Sequence, residues 1–196
     1  MKYTLIRFLL MVPLLWTACT LEAASPGLLL ALQQDHSAQL ASPNEELVFR
    51  LTFDDFGSAR YSLAFRGEML IDQSKLGMRF AQQAGFDRGL SLVSATESTH
   101  DQTWEQPWGE RRRVRDNHNE LLLTLVDADG REFMLRVRVF DDGLGFRYEF
   151  GEASELAAVN IVDELTEFSL PQGSTAWWTP GRRYNRYEYI YQTGPL

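Results

Sequence analysis

Leu47, Phe49, Leu51 and Phe53 alternate with polar or small neighbours, the period of a strand with one face in a core. Asp54-Asp55-Phe56-Gly57 supplies a turn, and Tyr61, Leu63 and Phe65 resume the alternation, so residues 47–65 predict a β-hairpin. Arg66-Gly67-Glu68 turns the chain again before Met69 and Ile71, and Leu76-Gly77-Met78-Arg79-Phe80 predicts a short strand. Between Ala81 and Gln102 the period is lost and Gly, Ser, Thr and Asp accumulate, which predicts loop with one short strand at Leu90-Ser91-Leu92-Val93. From Glu120 to Val126 a strongly apolar strand is closed by Asp127-Ala128-Asp129-Gly130. Phe133, Leu135, Val137 and Val139 then face one way and Arg136 and Arg138 the other. After Asp141-Asp142-Gly143, the residues Phe146, Tyr148 and Phe150 return the chain, so 121–150 predicts a three-stranded antiparallel meander. Val159–Val162 and Trp177-Trp178 read as short strands, Asp163–Phe168 as strand or helical turn, and Pro180-Gly181 as a turn before a tyrosine-rich stretch at 184–191. No amphipathic helix of four turns appears beyond the N-terminal segment, so the class is all-β, an antiparallel sandwich.

One run stands apart from the alternation. Thr103–Glu120 holds Trp104, Trp108, Arg111-Arg112-Arg113 and Arg115, with Pro107 and Gly109 to forbid a regular helix. It reads as a structured loop. Long side chains are costly to order, so such a loop persists where it packs on something, either the edge of its own domain or a second domain.

Composition narrows the class of partner. The 196 residues are 44% hydrophobic and 12% aromatic, enough for a packed core, and the net charge is −8. Apart from Arg111-Arg112-Arg113 and Arg182-Arg183 there is no basic block, which argues against a nucleic-acid partner, because phosphate binding needs clustered cations. At the N-terminus, Lys2 and Arg7 precede the apolar Phe8–Trp16, too short to span a bilayer. Residues 1–23 are therefore expected to be a signal peptide and 24–196 the exported domain, periplasmic in location. Thr17-Ala18-Cys19 offers a rival, lipoprotein processing at Cys19 with anchorage to the outer membrane. Cys19 is the sole cysteine, so the mature domain is expected to carry no disulfide.

Candidate chemistry is sparse. Asp127-Ala128-Asp129-Gly130 lacks the closing acids of a calcium loop and reads as a hairpin turn, and the adjacent Asp141 and Asp142 read likewise. His36, His100 and His118 are scattered, without ligand spacing, and no hydrolytic triad is visible. Trp177, Trp178, Tyr184, Tyr187, Tyr189 and Tyr191 are the candidates for touching a ligand, since an apolar ligand face can stack on aromatic planes. Strand alternation is expected to send most of these rings into a core and leave one or two at a cleft or a domain boundary.

The string Glu97-Ser98-Thr99-His100-Asp101-Gln102-Thr103-Trp104-Glu105-Gln106-Pro107-Trp108-Gly109-Glu110 resembles the N-terminal domain of glycoside hydrolase family 97, bacterial α-glucosidases and α-galactosidases. Phe140–Tyr148, Asp163–Phe168, Trp177-Trp178 and Tyr187-Glu188-Tyr189 agree with it in order. The resemblance implies a β-super-sandwich of the galactose-mutarotase type, incomplete at its C-terminal end. It also implies a catalytic (β/α)₈ barrel beyond this chain that carries the acid and base, so that the present chain is inactive by itself. The expected substrate is an α-linked oligosaccharide, with Trp177 and Trp178 as its binding residues. The expected cofactor is calcium, with Glu188 as the one metal ligand from this domain and the rest from the barrel. Two rivals accompany this reading: a free-standing carbohydrate-binding module, and an aldose epimerase, which would need a His and Glu pair in a cleft that the three histidines do not offer.

Overall fold

The computed structural model describes residues 37–151, 159–181 and 188–196. The expected signal peptide, Cys19, His36, Tyr184 and Tyr187 lie outside the described residues. Twelve strands follow one another among the described residues. They are β1 (Ala38–Ala41), β2 (Leu47–Phe53), β3 (Ala59–Phe65), β4 (Glu68–Lys75), β5 (Met78–Phe80), β6 (Ser91–Glu105), β7 (Arg113–Val126), β8 (Glu132–Phe140), β9 (Gly143–Glu149), β10 (Ile161–Glu164), β11 (Thr175–Trp178) and β12 (Gln192–Pro195). All pairings are antiparallel. One sheet has the order β1-β2-β3-β4 and another the order β6-β7-β8-β9, while β5 with β10 and β11 with β12 form two short pairs.

The alternation decides which face of each sheet is buried. Phe49, Leu51 and Tyr61 from the first sheet meet Leu121, Leu123 and Leu135 from the second, all essentially without solvent contact. Tyr61 and Phe146 bridge the layers with ring centroids 5.5 Å apart, and Phe86 stacks on Phe133 at 4.0 Å. Each such side chain stabilises the fold by roughly 1.5–3 kcal/mol through burial. Asn119 Nδ2 donates to the Ala41 carbonyl at 2.9 Å and ties β1 to the second sheet.

Turn chemistry fixes the registers. Phe65 pairs with Glu68, leaving Arg66 (φ 50°) and Gly67 (φ 84°) as a two-residue loop with both residues left-handed, the twist-matched geometry for a hairpin. Asp127 closes the β7–β8 turn by accepting from the Asp129 and Arg131 amides at 3.0 and 2.9 Å. This is the hairpin role expected for that acidic run.

The run Thr103–Glu120 corrects the expectation of a loop. It is the far half of a long hairpin, β6 with β7, and only residues 106–112 lie outside the strands. Gln106 and Arg112 close it through Gln106 N donating to Arg112 O at 3.0 Å, and Gly109 turns it at φ 120°. The strand at 91–105 lacks a hydrophobic period because most of its positions are exposed; it is held by its ladder with β7 and by charge pairs such as Asp101 with Arg115, bidentate at 2.8 Å. β8 stops at the rung Phe140–His118, so beyond it β6 and β7 pair only with each other. β1 was likewise not legible, and β10 is displaced by two residues from the expected 159–162.

From Glu164 to Ser169 the chain runs along the margin of the first sheet. Leu165 N donates to Gly77 O at 2.9 Å, Glu167 N to Lys75 O at 3.0 Å, and Asp72 N to Ser169 O at 2.9 Å. Two tyrosines fasten it from the core side: the Tyr61 hydroxyl donates to Glu167 O at 2.8 Å, and Tyr148 Oη accepts from Gly77 N at 3.0 Å and lies 3.2 Å from Thr166 Oγ1. Burial pushes the Tyr61 phenol up to about 12 and raises that of Tyr148, so both remain protonated over the physiological range.

Candidate functional site

β11 and β12 form a ribbon in register Trp177–Thr193 and Trp178–Gln192, begun by a turn in which Ser174 N donates to Pro171 O at 3.2 Å. Neighbouring residues on a strand point to opposite faces, so the two indoles leave the ribbon on different sides. Trp177 is 68% and Trp178 43% exposed, although Trp178 packs over Gly194, where an added Cβ would lie 3.4 Å from its Cη2. Tyr191 and Ile190 are also exposed and Tyr189 is half-buried. The expectation placed most of the six rings in a core and one or two in the open, with Trp177 and Trp178 named for binding; of the four described, Trp177, Trp178 and Tyr191 are open, one more than expected. Alternation assigns faces, but a face is buried only if another layer covers it, and among the described residues neither side of this ribbon is covered in that way.

Glu188 is exposed, in the segment that leads into β12. Calcium takes six to eight oxygens, and among the described residues no group of three or more His, Cys, Asp or Glu side chains could hold a metal ion. The described residues do not by themselves fit a calcium site. Glu188 is placed to give an ion one carboxylate at most.

Two of the three histidines, His100 and His118, are brought together. His100 and His118 face each other across β6 and β7 with ring centroids 5.0 Å apart, and the His118 ring lies 4.9 Å from that of Phe140. His118 Nδ1 lies 2.6 Å from Asp116 Oδ1, and His100 Nε2 lies 3.6 Å from Asp116 Oδ2. The sequence hid this because the register of a long hairpin is not readable from spacing. His118 is only 2% exposed, so it is a packed, hydrogen-bonded ring and not the open base that an epimerase cleft demands.

On the outer face of the second sheet the charges neutralise one another. Arg136 donates to Glu120 and, at 2.6 and 3.0 Å, to both oxygens of Glu149, while Arg138 reaches Glu120 at 2.7 Å. Arg136, helped by Arg147, holds the Glu149 carboxyl down at about 2. Burial raises the Glu120 carboxyl, and Arg138 with Arg136 more than reverses it. Carboxylates so fully paired make poor general acids, because protonation would break the pairing.

Residues 40–196, which span the sandwich and the ribbon, match the Glycosyl-hydrolase 97 N-terminal family. The chain belongs to that family. A family 97 enzyme from Pseudoalteromonas sp. strain K8, solved in complexes with panose and with acarbose, superposes with a TM-score of 0.74 at 36% identity. The match covers 81% of this chain and 24% of that one. A probable retaining alpha-galactosidase of Streptomyces bingchenggensis (strain BCW-1) is 28% identical over 129 residues, 66% of this chain and 20% of its own length. A beta-arabinopyranosidase shares the fold, with a TM-score of 0.65 at 23% identity over 71% of this chain. The family 97 domain thus spans a quarter or less of the length of these relatives. Its all-β, antiparallel architecture is the one expected, and it places the chain within a family of glycoside hydrolases.

Proposed function

We propose that this chain is the exported, N-terminal supporting domain of an α-glycosidase. In this reading Trp177 and Trp178 present aromatic faces to an α-linked glucoside or galactoside. Glu188 completes a calcium site whose other ligands come from a (β/α)₈ barrel, which also carries the acid and base. The observation that carries the reading is the β11–β12 ribbon: in a family 97 domain, two indoles on opposite sides of one strand both remain open. An indole exposes apolar area that a sugar C–H face or a neighbouring domain can cover. The Pseudoalteromonas relative's complexes with panose and acarbose support an oligosaccharide as the ligand class.

The test has two arms. The purified chain alone is expected to release no product from aryl α-glucosides or α-galactosides, and turnover that survives purification would overturn the supporting role. Joined to a family 97 barrel, Glu188→Gln is expected to weaken calcium binding at least tenfold by titration; unchanged affinity would remove Glu188 from the metal site.

A further inference from the structure

We propose a second carbohydrate subsite, in the groove between the β2–β3 turn and the 164–167 segment, with Phe56 as its stacking platform. It rests on the carbohydrate reading above but uses none of the ribbon's residues. Phe56 is 79% exposed, and it sits in a turn that no core requires it to enter.

The backbone beneath the ring is fixed. Phe56 N and Ser58 N donate to Asp54 Oδ1 at 3.0 and 2.9 Å, Gly89 N donates to Phe56 O at 2.8 Å, and Leu90 N donates to Gly57 O at 2.9 Å. Gly57 (φ 71°) has no room for a side chain, since an added Cβ would lie 2.9 Å from Leu90 N. An aromatic ring held open on a rigid tip has little left to order when a ligand arrives.

The groove beside it has a volume of about 510 Å³, and its charge is balanced. Lys75, Arg79 and Arg88 are matched by Asp87, Glu164 and Glu167. The partners are in place: Arg79 and Arg88 reach Asp87 at 3.3 and 3.6 Å, Arg79 also reaches Asp163 beside the groove at 3.6 Å, Lys75 reaches Glu167 at 3.4 Å, and Glu164 accepts from Thr166 Oγ1 at 2.9 Å. Ser58 and Thr166 add hydroxyls to the lining. A balanced lining gives no net attraction to a phosphate or to a charged peptide. Alternating carboxylates, guanidinium groups and hydroxyls next to one aromatic face suit a neutral polyhydroxylated ring, whose hydroxyls both donate and accept. The ligand class is a neutral oligosaccharide.

The test is titration of maltoheptaose into the full chain, with binding followed by calorimetry and by amide chemical shifts. Shifts at Gly57, Arg88 and Thr166 are expected, and Phe56→Ala is expected to weaken this binding roughly three- to tenfold. Phe56→Ala should fold normally, and Arg88→Ala gives a second probe of the same groove. Unshifted amides at those three positions, or affinity indifferent to both substitutions, overturns the subsite. Trp177→Ala separates the two readings: loss of binding there with Phe56→Ala silent leaves only the ribbon, and the reverse leaves only the groove.

Discussion

The β7–β8 pair and the β11–β12 pair are both antiparallel ladders with residues alternating between two sides, yet their fates differ. In β7 and β8 one side is sunk, with Leu121, Leu123, Leu135, Val137 and Val139 at the interface between the sheets, and the other side is tiled by Arg136 and its carboxylates. In β11 and β12 both sides meet solvent, and each carries an indole. The period of a strand is a local property, whereas burial needs a second layer. Two-stranded ribbons are marginal alone, so the first pair supplies stability while the second leaves its aromatic surface uncovered among the described residues.

The largest expected effect tests that division. Leu123→Ala should cost about 3–4 kcal/mol in urea unfolding by opening a cavity between the sheets, whereas Trp177→Ala should cost under about 0.5 kcal/mol. Equal losses would erase the distinction. Next is Gly77, in the connection between β4 and β5, packed against the Phe86 backbone. Its φ of 143° and a prospective Cβ 2.3 Å from Phe86 O make Gly77→Ala expensive, about 2 kcal/mol by the same measurement.

Acid should separate the regions further. The Glu149 carboxyl titrates at about 2 instead of its ordinary 4.5, so its contribution is complete above pH 4.5 and is lost as pH falls through 2. Thermal melts between these values should show about 1–2 kcal/mol of lost stability that Glu149→Gln largely flattens; an unchanged acid limb would deny the network its role. The smallest effect concerns the fastening of residues 164–169. Tyr61→Phe removes the bond to Glu167 O and should cost about 1 kcal/mol. Hydrogen exchange should speed up at the Leu165 and Glu167 amides, while Leu123 and Val137 keep their protection.

What the sequence disclosed follows the same divide. The hairpin at 47–65 and the meander through Phe150 were legible, since Leu, Val and Phe at every second position report a buried face directly. β6 was not: Thr96, Ser98, Thr99 and Gln102 are paired by backbone to β7 without being buried by anything, so no hydrophobic signal marks them. The same blindness hid the His100–His118 contact and the exposure of Tyr191, because both depend on register or on a covering layer. Phe56 did leave a trace, an aromatic ring in an Asp-Asp-Phe-Gly turn where no core residue belongs. The family resemblance lay in the Trp-rich run, whose residues sit at the end of the long hairpin.

Each large sheet is wound from one uninterrupted stretch of polypeptide, residues 38–75 for the first and 91–149 for the second, with every strand beside its predecessor. Within these two sheets no strand must wait for a distant sequence partner, β5 with β10 being the long-range exception, which lowers the loop-closure entropy that slows most β proteins. The first sheet can assemble during synthesis before the second has left the ribosome, and the late step is the docking of two preformed layers around Tyr61 and Phe146.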